Sequence, residues 1–323
     1  MIAQALADGV IDVHAHWLPE QLFALPPGAP YGAMHDRGGE LFLGEIPLSI
    51  STRSMSDVSA IRDDMRTAGI AVRVLSAPPF AFAVGGSGSV DFVGAFNDAL
   101  ADVVRESDGT LIGLGMVSLE DAGTCRAQVT ALAATPGIAG IAIPPVLAGG
   151  SLDRGVLREI LSTATELELS VLVHPMQLPR PEWSEHYLGN LIGNPTETAT
   201  AVAATILGGV IEELPLLRIC FVHGGGCAPG LLGRWEHGWH SRADVRTHSK
   251  RPPATGFREL FFDTVTHDGD QLRMLAARAG EQKVVCGSDY PFDMAQQDPV
   301  RFAVQHGINA EALTAHGRAF LGL

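Results

Sequence analysis

Ile11-Asp12-Val13-His14-Ala15-His16 closes the first apolar run of the chain and sets two histidines one residue apart. In a β-strand, residues i and i+2 share a face. His14 and His16 therefore project together, about 7 Å apart at the backbone, a spacing that lets two imidazoles converge on one cation. Three later apolar runs end in residues of the same kind: Val171-Leu172-Val173-His174, Ile219-Cys220-Phe221-Val222-His223 and Val284-Val285-Cys286-Gly287-Ser288-Asp289. A single His-x-His is weak, since half-buried strands often carry a histidine satisfied by one hydrogen bond. Four strand ends bearing His14, His16, His174, His223 and Asp289 point to a metal site.

Working outward, short β-branched runs alternate with segments of helical period. Strands are expected at 10–14, 70–76, 111–116, 138–143, 169–174, 217–223, 259–264 and 283–289. Helices are expected at 55–68, 91–106, 122–134, 153–168, 196–213, 230–239 and 269–279, with one or two closing helices in 299–321. Strands alternating with helices imply a parallel sheet, because parallel pairs need crossover connections. The reading is an α/β fold, a single (β/α)8 TIM-like barrel over residues 1–323. The alternative, an open doubly wound sheet, does not easily bring strands one, five, six and eight to a point. Every candidate ligand lies at the C-terminal end of its strand, the active face of such barrels. Two insertions, 17–52 and 176–195, follow ligand-bearing strands and are expected to overhang that face. The first should carry a hairpin near 40–50.

Bulk properties narrow the partners. With 323 residues, 46% hydrophobic and 18% charged, the chain reads as a folded enzyme-sized domain. A net charge of −14 disfavours a surface that tracks phosphates, so no nucleic-acid partner is expected. The longest apolar stretch, 199–211, is too short to span a bilayer. The four cysteines form no C-x-x-C pair, which suits a reducing, cytoplasmic setting. Only Lys250 and Lys283 occur. No lysine lies on a middle strand to bridge two metals when carboxylated, which favours a single ion.

Imidazole and carboxylate suit one divalent ion, zinc first and manganese as the alternative. His14, His16, His174 and Asp289 would be the ligands, the usual donor set of a catalytic site with an open position. His223 is then placed as the acid/base, since its ordinary pKa lies near neutrality. The roles could also be exchanged, with His223 a ligand and another group the base.

The pieces IDVHAH, LVHP, FVHGGGCAPGLLGRWEHGW, LFFDTVTHD and VVCGSDYPF run in order from Ile11 to Phe292. In these the chain resembles the decarboxylase branch of the amidohydrolase superfamily. The resemblance implies a distorted (β/α)8 barrel, one zinc-like ion and non-oxidative loss of CO2. It implies His14, His16, His174 and Asp289 as ligands, with His223 as the catalytic histidine; beyond the resemblance, Asp289 is expected to shuttle protons as well. It also implies two arginines that hold substrate carboxylates, best matched by Arg53 and Arg242. The second would be donated across a homodimer interface. The chain departs from that pattern at Met176 and Asn190, where relatives carry tryptophans, so the substrate is less determined than the reaction.

The expected activity is a carboxy-lyase acting on a small aromatic or dienoic carboxylic acid, of carboxymuconate semialdehyde or hydroxybenzoate type. The rival reading is a hydrolase or hydratase of the same superfamily acting on a lactone, amide or enone. A third is a non-catalytic barrel with a structural metal.

Overall fold

In the computed structural model, which describes residues 6–26, 29, 32–83, 89–147 and 150–323, eight parallel strands form one sheet. In chain order they are β1 (Ile11–His16), β2 (Val72–Ser76), β3 (Leu111–Gly115), β4 (Ile138–Ile143), β5 (Ser170–Val173), β6 (Arg218–Phe221), β7 (Phe261–Asp263) and β8 (Val284–Val285). Each pairs with its neighbour in sequence. The last meets the first through Val13 N donating to Cys286 O at 2.9 Å and His16 N donating to Tyr290 O at 2.7 Å. That seam closes the expected barrel. Residues 27, 28, 30 and 31 of the first insertion lie outside the described set.

A helix follows every strand: α1 (Val58–Ala68), α2 (Ser89–Arg105), α3 (Ala122–Ala133), α4 (Gly155–Glu166), α5 (Asn194–Leu207), α6 (Ala228–Ser241), α7 (Gly269–Ala279) and α8 (Ala310–Leu321). Strands buried on both faces explain the near-continuous apolar runs. Ile11, Val13, Val72, Val74, Ile112, Leu114, Leu172 and Cys220 fill the barrel interior. Leu75, Ile141, Val171, Ile219, Phe221 and Phe262 face outward to Ile61, Phe96, Val129 and Leu161 on the helices. Phe320 and Leu321 of α8 join the interior cluster from below. Among the described residues no helix is long and apolar enough to cross a membrane.

Strict alternation in β1 would turn Asp12, His14 and His16 away from the interior that Ile11 and Val13 fill. The pairing of β1 with β2 shifts register between Asp12 and Ala15. Beyond the shift Ala15 packs outward, which leaves His14 and His16 on the barrel side. Register shifts of this kind re-aim side chains next to functional sites.

Other boundaries also differ from expectation. Regular pairing in the eighth strand stops after Val285, since residues 286–289 leave the ladder to carry Asp289 across the rim. The first helix begins earlier, at Thr52, and breaks at Asp57, whose extended backbone and side chain cap α1 through Ser59 N. The expected 196–213 helix ends at Leu207. Gly209 there has φ +77, and a Cβ on it would lie 2.7 Å from His248 O; a short helix, Val210–Glu213, follows. The hairpin near 40–50 belongs to a three-stranded antiparallel sheet of Met34–Arg37, Glu40–Leu43 and Ile46–Pro47.

Phe262 is fully buried and stacks on Phe257 with ring centroids 4.6 Å apart. Replacing it with alanine should lower the unfolding free energy by about 3–5 kcal/mol in chemical denaturation. A loss below about 1 kcal/mol would show that this outer layer is loosely packed.

Candidate metal centre

The C-terminal ends of β1, β5 and β8 bring four side chains together. His14, His16, His174 and Asp289 offer one atom each, all within 4.8 Å of one another. Asp289 Oδ1 lies 3.2 Å from His14 Nε2, 3.1 Å from His16 Nε2 and 3.8 Å from His174 Nε2. All four residues are buried.

The other ring nitrogens are already engaged. His14 Nδ1 donates to Asp263 Oδ2 at 2.6 Å, His16 Nδ1 to Ala77 O at 3.2 Å and His174 Nδ1 to Pro175 O at 2.7 Å. These bonds fix each ring's orientation and aim each Nε2 at the centre, the usual support for a ligating imidazole. His14 Nε2 and His174 Nε2 are buried without a hydrogen-bond partner. Buried polar atoms are rarely orphaned, and here two face one carboxylate oxygen. The donor set fits a single divalent cation.

The electrostatics agree. Burial pushes His174 down to about 3 and also lowers His16, keeping both neutral. Burial opposes charge on His14 too, but the carboxylates of Asp289 and Asp263 outweigh it and raise His14 to about 10. Burial would raise the Asp289 carboxyl, yet the surrounding histidines, His14 foremost, hold it well below the usual range. The protein's own charges thus keep one proton on His14, which a cation bound through Nε2 must displace.

His223 stands beside the cluster, not inside it. Its Nε2 lies 3.3 Å from Asp289 Oδ2, the oxygen turned away from the other histidines. Both His223 (φ +55) and Asp289 (φ +62) adopt left-handed backbone, a strained state that concentrates at functional sites. The three glycines after His223 make its turn feasible. Gly226 has φ +58, and a Cβ there would stand 2.3 Å from Pro195 O.

Asp263 was not singled out from sequence. It ends β7, orients His14, and also accepts from Gly224 N at 2.8 Å, tying the His223 turn to the same carboxylate. The signal was present, because the run Phe261-Phe262-Asp263 ends in a carboxylate at the rim shared by the other ligands.

A cavity in two lobes opens over the cluster. One lobe, about 560 Å³, is lined by His223, His267, Asn190, Thr266 and Met274 among others. The other, about 150 Å³, is lined by Leu43, Leu48, Phe80, His174, Tyr187 and Phe292 among others. His223, Asp289, Asn190 and Asn194 border both. Residues from both insertions therefore wall the site, including Met176 and Asn190. The two arginines lie elsewhere. Arg53, exposed on the short helix Thr52–Ser56, pairs with Asp57 at 3.2 Å and Asp63 at 3.7 Å. Arg242, just past α6, pairs with Asp244 at 2.7 Å. Among the described residues, neither lines either lobe.

The family profile described as amidohydrolase matches residues 11–316. A 2-amino-3-carboxymuconate-6-semialdehyde decarboxylase of Dictyostelium discoideum is 31% identical over 242 residues, covering 74% of this chain and 66% of the relative. The match thus spans just under two thirds of that relative's length. The solved structure of Metarhizium anisopliae IDCase in apo form superposes with a TM-score of 0.83 at 22% identity, over 97% of both chains. A 5-carboxyvanillate decarboxylase of Novosphingobium aromaticivorans, complexed with manganese and a nitrobenzoic acid, gives 0.77 at 19% identity, over 99% of this chain and 97% of that one. At such identities the likeness to the two structures concerns the fold. By the match along nearly its whole length, the chain belongs to the amidohydrolase family.

Proposed function

We propose that the chain is a metal-dependent, non-oxidative decarboxylase that releases CO2 from a small aromatic or dienoic carboxylic acid, of carboxymuconate semialdehyde or hydroxybenzoate type. The observation that carries this reading is the convergence of three Nε2 atoms on Asp289 Oδ1, with His223 on the carboxylate's other oxygen and an open cavity above. The decarboxylase names of the relative and of the manganese-bound neighbour support it.

In this reading His14, His16, His174 and Asp289 hold one divalent ion, zinc by its donor set. Manganese is the alternative, supported by the neighbour that carries it. The ion supplies Lewis acidity that polarises a substrate oxygen. His223 faces the cavity and carries a proton to the substrate carbon that bears the carboxylate. Protonation there interrupts conjugation and creates an electron sink. The C–C bond to the carboxylate then breaks, its electron pair restores conjugation, and CO2 departs. Asp289, 3.3 Å from His223 Nε2, orients that ring and relays a replacement proton from solvent back to it, since each CO2 released leaves one proton on the product.

The acid's carboxylate needs cationic partners, and guanidinium is suited to them by its paired donors. Arg242 serves if a second copy of the chain presents it, which makes the working unit a homodimer. Arg53 serves only after leaving Asp57 and Asp63. The free cysteines, three of them buried, favour a reducing, cytoplasmic location.

Substituting His223 with alanine should cut CO2 release by about 10²–10⁴-fold, the usual worth of a positioned proton carrier, while metal content stays at the wild-type level. Near-normal turnover would contradict the assignment, and loss of the ion would make His223 a ligand instead. The assay screens hydroxybenzoates and carboxymuconate-type semialdehydes for CO2, with water-addition products as the opposing outcome.

Metal uptake should also be linked to pH. Because His14 holds its proton up to about 10, loading the metal-free protein at neutral pH should release about one proton per ion. Affinity should then climb about tenfold per pH unit between roughly pH 6 and 8. Calorimetry in two buffers of different ionisation enthalpy measures this, and uptake without proton release would contradict it.

A further inference from the structure

Where β8 meets β1 the backbone ladder is short, and side chains take over the joint. Asp12 is fully buried, and its carboxylate gathers four bonds. Oδ1 accepts from His14 N at 3.2 Å and from Ser288 N at 3.0 Å. Oδ2 accepts from Ser288 Oγ at 2.6 Å and from Arg73 Nε at 2.9 Å. One carboxylate on β1 thus grips the backbone of one candidate ligand and the residue preceding another.

Arg73, on β2, grips the other flank. It is fully buried, its Nη2 donates to Asp64 Oδ2 on α1 at 2.7 Å, and its guanidinium lies 4.5 Å from the centre of the Tyr290 ring. Nη1 finds no hydrogen-bond partner. Tyr290 N in turn donates to Ser288 Oγ at 3.1 Å. Ser288 and Tyr290, on either side of Asp289, are therefore both held by the Asp12–Arg73 pair. Asp289 itself has left-handed backbone (φ +62) and donates its N–H to His14 O at 2.8 Å.

We propose that Asp12 and Arg73 are positioning residues for Asp289: through Ser288 and Tyr290 they hold its carboxylate against the imidazoles of His14, His16 and His174. This rests on the metal-site reading above. A residue that needs only to stay folded could be held by apolar packing, as the rest of the outer layer is. Apolar packing in place of a buried ion pair is often no less stable, so the Asp12–Arg73 pair is better accounted for by the geometry it imposes than by its contribution to stability.

The test loads the full-length protein with cobalt(II), whose visible absorption reports ligand geometry, and measures release to a competing chelator. Asp12→Asn and Ser288→Ala are compared with Val129→Ala, a buried outer-layer change far from the seam. Both clasp variants should release cobalt(II) about 10–100-fold more readily, the usual effect of losing a partner behind a ligand, and show a shifted spectrum. Val129→Ala should lose thermal stability yet keep wild-type affinity and spectrum. Ser288→Ala removes one hydroxyl only and carries the test if Asp12→Asn does not fold. Clasp variants that match the wild type in affinity and spectrum overturn the proposal. A wild-type protein that takes up no cobalt(II) overturns the metal reading itself, and the clasp's role with it.

Discussion

A carboxylate buried among imidazoles must be compensated, and the architecture of this rim follows from that constraint. Asp289 is almost withdrawn from water, in a setting where an isolated charge is prohibitively costly. The cost is met from three strands at once, by His14 and His16 on β1, His174 after β5 and His223 after β6. Each of the first three imidazoles can face Asp289 only because its far nitrogen is anchored, to Asp263 or to the carbonyls of Ala77 and Pro175. The result is a set of ring nitrogens with fixed direction, two of them without a hydrogen-bond partner, and well matched to a cation.

The barrel makes that arrangement possible. Residues distant in sequence reach one point because successive strand ends share a rim, and the insertions rise from the same rim to wall the cavity. His223 occupies the boundary between the His/Asp cluster and the cavity, with Nε2 beside Asp289 and the ring lining both lobes. That position suits the proposed proton carrier: anchored on the site's own carboxylate, partly open to solvent, and next to the cavity. The glycines of the following turn have no room for side chains, which explains the run Gly224-Gly225-Gly226.

Much of this was legible in the sequence. The eight apolar runs, the helices between them and the four converging residues could be read because period and strand-end position report burial and direction locally. What escaped depends on tertiary contact. The register shift after Asp12, which turns His14 and His16 inward, arises from pairing with β2 and leaves no mark in the alternation itself. The brevity of β8 reflects the crossing of residues 286–289 to the seam. Asp12 looked like an ordinary strand residue, and Asp263, though its strand-end position marked it, gave no sign that its partner is His14, since a carboxylate's partner cannot be inferred from its neighbours in sequence. Arg53 and Arg242 came from resemblance alone, and both are occupied by surface carboxylates.

The central claim is that one divalent ion is held by His14, His16 and His174 through Nε2, together with Asp289. Anomalous diffraction from a metal-loaded crystal, collected on either side of the absorption edge, tests it most directly. The account expects a single peak per chain, with three Nε2 atoms and an Asp289 oxygen at about 2.0–2.2 Å and the Nδ1 bonds intact. A peak elsewhere, coordination through Nδ1, or no ordered ion among these four side chains would contradict it.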